Sequence, residues 1–168
     1  MKRVLALALA SGAAMLLSTA LTTTQAMAAT TVPVSMTFTE PLVPAASSGC
    51  NLETSSCGHG QVRPFGQATE NIQFGGACNG TCDFRTINLA SGSIFIDETS
   101  SNPTCPGVCQ PNPGLPAGGT LTDVIVGGTG QFAGATGNLS GSVTIAGGIG
   151  IRGGGTMIKL SGTITLAT

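Results

Sequence analysis

Two stretches near the C-terminus repeat one pattern, Leu139-Ser140-Gly141-Ser142-Val143-Thr144-Ile145 and Leu160-Ser161-Gly162-Thr163-Ile164-Thr165-Leu166. In each, aliphatic residues and one glycine take one parity, and hydroxyl residues take the other. A period of two, rather than 3.6, is the mark of a strand with one buried face. The pattern also runs through Thr31–Glu40, where Val32, Val34, Met36 and Phe38 alternate with Ser35, Thr37 and Thr39. Pro33 places the start of that strand at an edge or ahead of its ladder. A single recurrence is too little for a solenoid, so the echo reads as two similar strands of one sheet.

The remaining segments agree. Gln61 to Gly75 is extended and broken at Pro64-Phe65-Gly66; Asn79-Gly80 suits a hairpin. Phe84–Leu89 and Ser93–Asp97 read as strands about an Ala90-Ser91-Gly92 turn, and Thr120–Val126 as another strand. Ala45–Gly60 and Ser100–Gly119 read as loops. Seven or eight short strands with no amphipathic helix leave a β-sandwich or a β-barrel.

Between two strands stands Gly127-Gly128-Thr129-Gly130-Gln131-Phe132-Ala133-Gly134-Ala135-Thr136-Gly137. Gly128, Gly130 and Ala133 match the letters of a dinucleotide-binding turn. That motif needs a helix next, to hold the pyrophosphate at its N-terminus, and an acid about 20 residues on. Here an alternating strand follows, and the later position is the apolar Gly148-Ile149-Gly150-Ile151. The alternative is a tight corner, with glycines permitting close backbone approach and Phe132 as the plug beneath it.

This corner resembles the one shared by allene oxide cyclases and plant dirigent proteins. The spacing of Gly128, Gly130, Phe132, Gly134 and Gly137 is closest to the cyclase form, and the arginines usual in the dirigent corner are absent. The resemblance covers about fifteen residues and the flanking strands. It implies an all-β fold, an eight-stranded antiparallel β-barrel, whose interior takes side chains or one small ligand. It also implies a homo-oligomer, although no interface stripe stands out in the sequence.

The N-terminus carries its own information. Met1-Lys2-Arg3 precedes an apolar run from Val4 to Leu21, and Ala26-Met27-Ala28 is a small-x-small site. Residues 1–28 are read as a cleaved signal peptide, not a membrane anchor, and 29–168 as a single domain. Export fits the six cysteines. They fall in three close pairs, which favour disulfides Cys50–Cys57, Cys78–Cys82 and Cys105–Cys109 over a metal site with His59. Other pairings stay open. Each short closure is expected to add about 2 kcal/mol in the chain-entropy model, and together they would stiffen loops at one mouth. A secreted or periplasmic location follows.

Without Lys2 and Arg3, four basic residues face seven acidic ones. That excludes the basic face a nucleic-acid partner needs. With no Trp and no Tyr, stacking platforms for bases or sugars are poor. His59, between Gly58 and Gly60, reads as an exposed loop residue. By resemblance to the first-strand glutamate of the cyclases, Glu40 is the candidate catalytic acid. Phe38, Arg63 and Arg85 are the candidate ligand contacts. The other carboxylates are expected at solvated strand edges. The chain is therefore expected to bind a small apolar molecule in the barrel or at its mouth, with no cofactor and no metal. Two alternatives stand beside this. One is a cofactor-free cyclase or stereo-directing protein acting as an entropy trap. The other is a surface protein whose barrel is merely packed.

Overall fold

The structure, a computed structural model, describes residues 28–41, 50, 54–101, 117–146 and 155–167. Residues 1–27 of the proposed signal peptide and the Cys105–Cys109 pair lie outside the described residues. Eight antiparallel strands close into one barrel in sequence order. They are β1 (Thr30–Pro41), β2 (Ser55–Arg63), β3 (Gly66–Ala77), β4 (Cys82–Leu89), β5 (Gly92–Ser101), β6 (Ala117–Gly128), β7 (Thr136–Ala146) and β8 (Gly155–Leu166). β1 and β8 seal the barrel through twelve register pairs, from Thr30↔Leu166 to Pro41↔Gly155. Among the described residues, closure leaves no strand edge open to pair with another chain.

The inward parity supplies the core. Val34, Met36, Phe38, Val62, Ile87, Ile94, Ile96, Ile125, Ile158, Leu160 and Ile164 are all buried. Room for them comes from inward glycines. A Cβ at Gly60 would lie 2.7 Å from the Phe38 ring. Gly58-His59-Gly60 is accordingly strand, not the expected loop. Both glycines face inward beneath bulky neighbours, and His59 is exposed on the outside of β2. Glycine inside a strand mimics a loop in composition, and that is why the sequence placed the strand start too late.

The two echoing strands pair with each other, and their motifs interlock. Leu139 stands opposite Gly162 and Gly141 opposite Leu160, about a central Ser140↔Ser161 pair. Both leucines are buried. A Cβ on Gly141 would fall 1.8 Å from the Lys159 carbonyl oxygen. Gly141→Ala is therefore expected to cost about 1–3 kcal/mol as an overpacked site, read as a lower urea midpoint at unchanged slope.

The two barrel ends differ. At one end lie the tight β2–β3 and β4–β5 turns and the glycine corner. Pairing slips at Val126, between Ile96↔Ile125 and Phe95↔Gly127, so a bulge leads into the corner. A 3-10 turn over Gly130–Phe132 follows, then β7, with no helix that would hold a nucleotide. Backbone hydrogen bonds from Thr129 N to Ser93 O (2.8 Å) and from Gln131 N to Ser91 O (3.0 Å) tie the corner to the β4–β5 turn. Gly130 has φ +58°, and a Cβ there would lie 2.3 Å from the Ser91 oxygen. Phe132 is fully buried and meets Phe65 edge-on at 5.0 Å. Those two rings plug this end.

The opposite end carries the disulfides. Cys50–Cys57 ties the start of β2 to the segment before it, and Cys78–Cys82 spans the β3–β4 turn. Disulfides fit an extracellular or periplasmic compartment. Among the described residues no helix is long and apolar enough to cross a membrane.

Candidate functional site

Towards the disulfide end the inward parity changes from aliphatic to charged. Glu40 continues the Val34, Met36, Phe38 series of β1, and Glu70 stands between Ala68 and Ile72 on β3. Arg85 precedes Ile87 on β4, Glu98 follows Ile94 and Ile96 on β5, and Asp123 separates Leu121 from Ile125 on β6. All five are buried. The expectation that Glu70, Glu98 and Asp123 sit at solvated edges is therefore corrected. Each occupies the apolar phase of its strand, and an alternating strand sends that phase inward whatever residue it holds.

Register sets their spacing. Glu98 is the direct cross-strand partner of Asp123. Glu70 pairs with Gly58, whose neighbour on β1 is Glu40. A Cβ on Gly58 would lie 2.5 Å from Glu70 Oε1 and 2.9 Å from Glu40 Cγ. The glycine opens the space in which the two carboxyl groups meet.

Arg85 sits among them. Its Nε donates to Glu98 Oε2 at 2.9 Å, and a second guanidinium nitrogen donates to the same oxygen. Its third nitrogen donates to Glu70 Oε2 and lies 3.9 Å from Glu40 Oε1. Ser56 on β2 donates its hydroxyl to Glu40 Oε2 at 2.9 Å. Glu40 Oε1, Glu70 Oε1 and both oxygens of Asp123 are buried without a hydrogen-bond partner.

One guanidinium among four buried carboxyl groups leaves a surplus of three negative charges if all ionise. Unpaired buried charge of that size is expensive, so protons stay bound. Burial raises Glu70 to about 8, with Arg85 opposing and the nearby Glu40 carboxylate adding to the rise. Burial and then the Glu98 charge raise Asp123 to about 7, against Arg85. Burial also raises Glu98. Burial alone would lower Arg85, but Glu70, Glu98 and Glu40 outweigh it and lift the guanidinium above its ordinary value. At neutral pH the cluster thus holds Glu70 as a neutral acid among carboxyl oxygens that accept hydrogen bonds. That is the condition for donating a proton or a hydrogen bond at one atom and accepting at another.

Of the residues singled out in sequence, Glu40 and Arg85 come together here, with Phe38 one step deeper on β1. Arg63 does not join them. It is exposed at the far end of β2, and its Nε reaches Gln61 Oε1 at 3.3 Å. Glu70, Glu98 and Asp123 were not singled out, although a charged residue in step with aliphatics on an alternating strand is a readable signal. Among the described residues no group of three or more His, Cys, Asp or Glu has the geometry to hold a metal ion.

On the mouth side of the cluster the wall is apolar again. Ile72 and Leu121 lie one inward step nearer the mouth than Glu70 and Asp123. Phe74, in step with them at the rim end of β3, is 46% exposed. Deeper in, Phe38, Ile87, Ile94 and Ile96 have no accessible surface, so no water-sized space adjoins them. No family model, curated protein or solved structure matches the chain.

Proposed function

We propose that this chain is an exported small-molecule-binding barrel whose ligand docks at the charged mouth. The observation that carries the reading is the buried cluster around Arg85, with acceptor oxygens to spare beneath an apolar collar. A few convergent polar groups under an apolar wall are the usual makeup of a ligand site. Strongly displaced acidities concentrate at such sites. The filled apolar half directs the ligand to the mouth instead of the depth of the barrel. A small molecule of mainly apolar surface with one polar group fits that division.

A second reading has its own support. The neutral Glu70 beside Glu40 is a placed acid, and the glycine corner resembles that of the allene oxide cyclases. A cofactor-free cyclase or stereo-directing protein would use Glu70, with Glu40, to donate to an oxygen of the bound molecule while the collar holds its conformation. Phe38 lies beneath this acid pair as its apolar floor.

Native mass spectrometry of the unreduced protein, taken from the medium or periplasm of its own source, tests the reading. A reproducible small-molecule adduct that is lost on denaturation and weakened by Glu70→Gln is expected. A bare protein with all six cysteines oxidised would move the assignment to a packed surface barrel. If a metal mass and free thiols appeared, the disulfide assignment would fail.

A further inference from the structure

We infer that the ligand of the charged mouth carries a protonated amine, and that this ammonium group displaces protons from the carboxyl cluster when it binds. The inference rests on the ligand-binding reading above and adds the chemistry of the ligand's polar end.

The argument is a count of donors and acceptors. Arg85 gives three of its five N–H donors to Glu70 and Glu98, the other two reach none of the remaining cluster oxygens, and Ser56 gives its one proton to Glu40. What remains are four buried carboxyl oxygens on Glu40, Glu70 and Asp123 to which the fold supplies no N–H or hydroxyl donor, leaving only the carboxyl protons themselves. Asp123 has no accessible surface and neither of its oxygens is paired. Unmet buried acceptors are costly, and a group supplying N–H donors with a positive charge meets them best. A carboxylate ligand would bring more acceptors and more negative charge. A hydroxyl would bring one donor and no charge. An ammonium brings three donors and cancels part of the surplus charge.

Without a ligand, protons perform the same task. Facing Glu70 are Glu40 from β1 and Arg85 from β4, and facing Asp123 are Glu98 from β5 and Arg85. Among the described residues β7 and β8 send no ionisable side chain inward, Lys159 being exposed. The bound protons and the ammonium therefore compete for the same oxygens. Access is from the mouth, where Glu40, Ser56 and Thr156 keep a little exposed surface. Ile72 and Leu121 lie where an alkyl chain following the ammonium would pass.

The test compares three probes of one size, n-butylammonium, 1-butanol and butanoate, by isothermal titration calorimetry on the intact oxidised protein. Butylammonium is expected to bind most tightly. Its affinity should rise at least tenfold from pH 6 to pH 8, and its heat should depend on buffer ionisation, reporting released protons. Asp123→Asn with Glu70→Gln should weaken butylammonium at least tenfold and flatten the pH slope. That double variant removes buried charge, so it is expected to stay folded, and its urea midpoint confirms this. Equal or tighter binding of butanol or butanoate, or butylammonium binding flat with pH, overturns the ammonium and leaves the mouth as a site of other chemistry. No binding of any probe, with an amine-free adduct on the native protein, overturns the ammonium alone. No binding and no adduct removes both this inference and the binding reading.

Discussion

Arg85→Met is expected to lower stability at pH 7.5 by about 3–5 kcal/mol, the cost typical of breaking a buried ion cluster by removing one partner. Glu70 and Glu98 both rely on this guanidinium, and Glu40 lies within 3.9 Å of it. Methionine fills much of the volume but leaves four carboxyl groups facing one another with no cation. Their remaining escape is to take up protons, so the loss should shrink by at least half at pH 5. Arg85→Lys keeps the charge but gives up the planar fork that spans Glu70 and Glu98, and should fall between the two. Urea unfolding at both pH values measures all three proteins. An Arg85→Met protein within 1 kcal/mol of the parent at pH 7.5 would show that the cluster is held by something else.

The second large effect is the direction in which stability follows pH. The fold raises Glu70 from 4.5 to about 8 and Asp123 from 3.8 to about 7. Between the ordinary and the raised values the folded chain binds more protons than the unfolded one. Stability must then fall as pH rises across that window. The contribution is complete below about pH 4, declines through neutrality, and is gone above about pH 8. A midpoint of thermal unfolding about 10 °C lower at pH 8.5 than at pH 5 is the expected size for a loss of a few kcal/mol in a domain of this length. Asp123→Asn, which removes a carboxylate with no partner, should stabilise the protein at pH 8.5 and flatten the profile. A midpoint that rises steadily from pH 5 to pH 8.5 would mean that the buried acids are ionised at no cost.

How far the sequence carries is seen in particular residues. Alternation in Val34–Phe38, Leu139–Ile145 and Leu160–Leu166 marks the strands because a sheet face admits no other period. The spacing from Gly128 to Gly137 marks the corner because each backbone approach there needs a missing side chain. Gly58 and Gly60 were harder, since an inward glycine shows itself only through the Glu70, Glu40 and Phe38 side chains that occupy its space. Glu40 could be named from the resemblance and Arg85 from residue type. Their company could not, because Glu70, Glu98 and Asp123 come from separate strands and only barrel closure turns them towards one axis. Phase was the available clue. Each lies in register with aliphatic neighbours, where a solvated carboxylate has no place.

The interlocked leucines and glycines of β7 and β8 also single out one register for that strand pair. The two strands carry nearly the same text, so several offsets satisfy the backbone ladder and keep aliphatics inward. Volume separates them. A slip of two residues one way brings Leu139 against Leu160, a collision. A slip the other way brings Gly141 against Gly162, a hole. Only the native offset sets each large residue over the small one opposite. A hairpin closed on the wrong offset is left either strained or hollow, and it cannot present the smooth wall that β1 and β6 need to complete the ring.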